Sequence, residues 1–192
     1  METERFEALI DAILAIIITI IVLEIPLASY GTWESLFELK YEFIIYALSF
    51  IVCFNFWNFN NNLYELVNRI NPNVIWSTGI TLFIFSLLPY LTMFVSTNFY
   101  VFFPQALYGL SFIATAIMSM ITSRALKESD PANIALQLAL ESNSIFIATI
   151  VLVLIGIVIG YFAYPPAIII SCFVSMIFVW LIPHFKLNKS RW

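Results

Sequence analysis

Charge is scarce in this sequence: Asp, Glu, Lys and Arg make up 10% of its 192 residues, against about 25% in an average soluble domain. A chain so poor in charge cannot clothe a water-facing surface, which excludes a soluble globular protein. Its eight Lys and Arg residues nowhere gather into a stripe, so the footprint of a nucleic-acid binder is missing. Cysteine is nearly absent too. Cys53 and Cys172 both sit inside apolar runs, with no CxxC anywhere. That argues against a zinc knuckle or redox pair and for two small buried hydrophobes. There is no HExxH, GxSxG or glycine-rich phosphate loop, so nothing nominates a catalytic residue, a metal site or a cofactor. A cleavable signal is not expected either, because Met1 to Asp11 is acidic and no A-x-A site follows the first apolar run.

What the chain has in abundance is hydrophobic residues, at 62%. Window reading predicts one all-α transmembrane domain over 1–192, a polytopic membrane protein with six transmembrane helices. The spans fall at roughly 6–27, 41–67, 74–95, 100–122, 144–163 and 166–184. Helices are expected because lipid cannot satisfy free backbone groups and the runs are too long and unalternating for barrel strands. Asp130-Pro131 reads as an N-cap with proline at the first helical position, and Pro165-Pro166 as a tight turn.

With six spans both termini share a side. That side would hold Arg5, Arg69, Arg124, Lys127, Lys186, Lys189 and Arg191, leaving Lys40 alone opposite. By the positive-inside rule both termini are cytoplasmic, in the cell membrane. Glu34, Glu38 and Glu42 on the outer side make either a mildly acidic vestibule or an ordinary solvated loop. Trp33, Trp180 and Trp192 suit interfacial belts. Gly156 and Gly160 form a GxxxG that permits close helix packing. His184, alone at the end of the sixth span, reads as structural.

The first span poses a puzzle. Its non-ionised strip, Ala12 to Leu23, is fenced by Asp11 and Glu24 and rises only ~18 Å at 1.5 Å per residue. Intramembrane acids are costly and usually face a bundle interior or a wet cavity. Leu9, Ala12, Ile16, Thr19 and Leu23 follow a 3-4-3-4 spacing, one helix stripe, with Ile20 beside it. On periodicity alone such a stripe is either packing or a pore lining. Around an axis it would make an apolar constriction that gates by dewetting, with a ring of hydroxyls offering oxygen to a cation.

The run R-x-x-x-L-I-D from Arg5 to Asp11, followed by A-I-I-I-T-I-I-V-L-E-I from Ala15 to Ile25, resembles the first helix of the transmembrane protein 175 potassium channels. Ser49-Phe50, Trp57 and the S-L-L-P-Y run at Ser86 to Tyr90 add to the likeness over the first half of the chain. The resemblance implies a homotetrameric channel of the prokaryotic form, its pore lined by the first helix of each subunit and K+ as permeant ion. It matches Ile16 to the narrow gate, Ile20 and Leu23 to further apolar layers, and Thr19 to potassium preference. Arg5, Asp11, Trp57, Asn60 and Asn61 correspond to a structural polar network. Leu9-Ile10 stands where the family has Phe-Ser, and Asn60-Asn61 where it has two histidines. Asparagine hydrogen bonds but does not titrate near neutral pH. The TVGYG filter of ordinary potassium channels is absent, so any selectivity would come from side chains. The expected partners are further copies of the chain, the bilayer and monovalent cations. The rival readings are a small-solute transporter and a non-conducting scaffold.

Overall fold

A computed structural model describes residues 3–177. The chain runs α1 (Thr3–Leu23), α2 (Trp33–Glu38), α3 (Lys40–Tyr64), α4 (Pro72–Ser86), α5 (Leu88–Thr97), α6 (Phe102–Ser129), α7 (Ile134–Ala139) and α8 (Ser144–Phe162). A further apolar helix, α9, covers Ala167–Ile177. Everything regular among the described residues is helical, as the patterning requires. Five segments are long and apolar enough to cross a membrane: α1, α3, α4 with α5, α6, and α7 with α8. The expected sixth span lies only partly within the described residues, and Trp180, His184, Lys186, Lys189, Arg191 and Trp192 lie outside them.

The third span has a break within it, at Leu87, between α4 and α5. Pro89 lacks the N–H that would bond back to Phe85, and its ring crowds that carbonyl. The fourth helix does not stop at Thr122 but runs on to Ser129. Asp130 is not an N-cap. It ends α6, and its carboxylate accepts from Asn68 Nδ2 at 3.2 Å and Asn133 Nδ2 at 3.1 Å. The cap of α7 is Asn133 instead, whose Oδ1 accepts from the Leu136 N–H at 3.1 Å. The short helix α2, capped by Thr32, carries no long apolar run that would signal it in the sequence.

Side-chain ties define the two ends of the bundle. At one end Phe6 of α1 meets Tyr64 of α3 edge to face, Ser129 Oγ donates to the Arg69 carbonyl at 2.9 Å, and Asn133 Nδ2 donates to the Leu66 carbonyl at 2.7 Å. At the other, Tyr41 stacks on Phe99 and shares a 2.7 Å hydroxyl contact with Tyr100, while the Lys40 ammonium lies 5.1 Å from the Tyr41 ring centre. Arg5, Arg69, Arg124 and Lys127 therefore belong to the first end and Lys40 to the second.

Between the ends, buried hydroxyls stitch the helices together. Ser49 of α3 contacts Thr92 of α5 at 2.7 Å and Tyr108 of α6 at 2.8 Å. Thr122 of α6 donates to Ser77 of α4 at 3.0 Å. In hydrocarbon such groups need partners, and these have them. Cys53 and Cys172 are free and buried, as their apolar surroundings imply. The GxxxG works as close packing: a methyl on Gly156 would come within 2.6 Å of Ser171 Cβ, and one on Gly160 within 2.7 Å of Ile168.

Candidate functional site: the outer face of the first helix

Helix α1 has 21 residues and so is ~32 Å long at 1.5 Å per residue, enough to cross a ~30 Å hydrocarbon core. Its length resolves part of the puzzle: the helix spans although its apolar strip does not, because polar residues occupy its first three turns. Phe6, Ile10, Leu14, Ile17 and Ile21 are buried. Their 4-4-3-4 spacing keeps one stripe against α3, α4 and α5.

The nominated pore residues lie on the opposite side. Ile16 is 58% exposed, Ile20 38% and Leu23 79%, against 0% for Leu14, and Leu9, Ala12 and Thr19 are exposed as well. Among the described residues none buries them. Thr19 Oγ1 donates to the Ile16 carbonyl at 2.8 Å. Its proton is committed to the helix, so the hydroxyl oxygen keeps acceptor lone pairs for whatever stands outside. The face thus offers carbon above and below one ring of oxygen.

The polar flank divides. Trp57 of α3 donates its indole N–H to Asp11 Oδ1 at 2.9 Å, fixing α1 against α3 where a carboxylate would otherwise lack a donor. Arg5 is exposed and forms no hydrogen bond among the described residues. Asn60 is buried, but its Nδ2 turns back to the Phe56 carbonyl at 2.8 Å. It borders a void of about 10 Å³ shared with Thr78, Thr81, Ser119 and Thr122, roughly the size of one water. Asn61 is exposed. Within one protomer the structure therefore joins Asp11 to Trp57 and leaves Arg5, Asn60 and Asn61 out of that contact. Sequence reasoning named Ser49 only for the family likeness and missed its partners Thr92 and Tyr108; isolated hydroxyls in apolar runs carry no periodic signal. No group of three His, Cys, Asp or Glu side chains suited to a metal occurs among the described residues.

The fold and this face define a polytopic helical membrane protein whose first helix packs on one side only. A family model described as endosomal/lysosomal potassium channel TMEM175 matches residues 5–89, the stretch that carries the face. The chain is 32% identical over 190 residues to a potassium channel of Chryseobacterium, covering 99% of this chain and 98% of that one. It is 29% identical over 128 residues to a potassium channel of Chamaesiphon minutus, covering 61% and 62%. The crystal structure of a lysosomal potassium-selective channel TMEM175 homolog from Chamaesiphon minutus superposes with a TM-score of 0.68 at 19% identity, over 93% of this chain and 96% of that one. The chain belongs to the TMEM175 family.

Proposed function

We propose that the protein is the subunit of a homotetrameric, potassium-preferring cation channel whose pore is lined by α1. Ile16 forms the main constriction, Ile20 and Leu23 add apolar layers, and Thr19 supplies a ring of hydroxyl oxygens in place of a carbonyl filter. The carrying observation is the Ile16–Thr19–Leu23 stripe, 58% and 79% exposed at its two apolar members, on the side of α1 turned away from α3, α4 and α5. Bulky carbon at a narrow point empties of water, and oxygen beside it replaces part of a cation's hydration shell. The Asp11–Trp57 bond holds the start of α1, with Arg5, Asn60 and Asn61 as further members of the polar network in the assembly. The clustering of Arg5, Arg69, Arg124 and Lys127 at one end supports cytoplasmic termini in the cell membrane.

Purified protein in a planar bilayer tests this. A potassium current is expected, and Ile16→Asn, which replaces carbon by an amide at the constriction, is expected to raise it. An unaltered current in Ile16→Asn removes the gate from Ile16. Saturable uptake without unitary currents would favour a transporter instead.

A further inference from the structure

A cavity of about 180 Å³ lies inside the protomer, away from α1, between α3, the α4–α5 break, α6, the start of α8 and α9. Its wall is mostly carbon, with Phe56, Phe85, Leu88, Phe112, Phe146 and Met176 among the residues that line it. Four of the hydroxyls that line it bond within their own helix, while Asn55, Thr115, Ser119 and Asn143 bring further polar atoms to the wall. Ser111 Oγ donates to the Tyr108 carbonyl at 2.6 Å, Ser123 to Ser119 at 2.8 Å, Thr149 to Ile145 at 3.1 Å and Ser175 to Cys172 at 2.8 Å. Each of these four protons is spent on its own helix, and most of the wall surface is carbon.

The cavity exists because the chain breaks twice beside it. The α4–α5 break sets Phe85 and Leu88 on its border, and the α7–α8 break replaces a continuous helix by Leu140, Ser142 and Asn143. Across this region α3 and α8 meet through the edge-to-face pair Phe59–Phe146, 5.9 Å between ring centres. Ser142 is exposed and is also a wall residue, so the cavity reaches the outside at the foot of α8. That is the end of the bundle where the basic residues gather, the level of lipid headgroups.

We propose that this cavity takes one acyl chain of a bilayer lipid, entering beside Ser142 while the headgroup stays at the interface. The chemistry fits: a wall mostly of carbon and hydrocarbon as the neighbouring solvent. An occupant here touches Phe56, next in sequence to Trp57, which holds α1 through Asp11. Filling the cavity therefore bears on the same helix that positions α1.

The test is photolabelling in liposomes containing a phospholipid with a diazirine on one acyl chain, followed by peptide mass spectrometry. Adducts are expected on the inner α6 segment around Phe112 and Ser119, alongside adducts on the outward-facing Ile155 of α8, which is 50% exposed. Ala116→Phe, which pushes a ring into the cavity, is expected to lower the inner α6 adduct about tenfold and spare the Ile155 adduct; Ser119→Leu serves as the second variant should Ala116→Phe fail to fold. Labelling of Ile155 without α6 overturns the proposal. So does inner labelling that both variants leave unchanged, and so does labelling of α6 by a free diazirine-bearing alkane but not by the phospholipid, which would make the occupant a small hydrophobe.

Discussion

Thr19 and Ile16 are three residues apart and joined by one hydrogen bond, which makes their roles separable by substitution. Thr19→Val keeps shape and removes the oxygen. Current should persist while the potassium-to-sodium permeability ratio, read from reversal potentials, falls towards unity. An unchanged ratio would take selectivity away from this residue. Trp57→Phe removes the indole donor from Asp11 and should cost about 1 kcal/mol, seen as a lower melting temperature in detergent. The stripe was legible in the sequence because helical spacing is strict and the residues flanking it are charged. Which face of α1 was buried was not, since Ile10, Leu14, Ile17 and Ile21 are as apolar as Ile16, Ile20 and Leu23. Only packing against α3, α4 and α5 tells the two stripes apart. Asn60 came from the family resemblance; within the protomer its amide donates to the Phe56 carbonyl one turn back on its own helix.

Helices were readable where apolar length forced them, as in the span at 144–163, which the structure has as α8 (Ser144–Phe162). Their breaks and caps were less so. Asp130-Pro131 satisfied a local rule for starting a helix, yet the long-range bond from Asn68 claimed its carboxylate and passed capping to Asn133. Asn133→Ala should therefore lose both the α7 cap and the tie to Leu66, costing about 1 kcal/mol from the cap alone. Asp130→Ala should spare the cap. A larger loss in Asp130→Ala than in Asn133→Ala, by thermal unfolding, would reverse that assignment. The α8–α9 contact rests on the space at Gly156. Gly156→Ala puts a methyl into Ser171 and should cost about 1–3 kcal/mol of overpacking, read as a drop in melting temperature. An unshifted melt would mean that the two helices have room to part.

Taken whole, the protomer turns apolar side chains outward on α3, α6 and α8 as well as on α1. Its hydroxyl ties, its aromatic end and its basic end belong to a single protomer. On the proposed function the outer face of α1 meets its own copies across the pore, and the outer faces of the other helices meet lipid. The second half of the chain, where the family resemblance did not reach, supplies α6, α8 and α9 as the scaffold behind α1. Its cavity was invisible to sequence reading, because a void comes from two breaks meeting in space.

The most direct measurement is silver-ion block of the potassium current carried by Ile16→Cys channels, with wild type as control. Silver is a small monovalent cation that reacts with thiols, so it can follow potassium into the pore, and the native Cys53 and Cys172 are buried. If Ile16 lines the conduction path, the variant's current is lost irreversibly and the wild-type current is not. A current in Ile16→Cys that silver leaves intact would place this side chain away from the ions and contradict the pore assignment of α1.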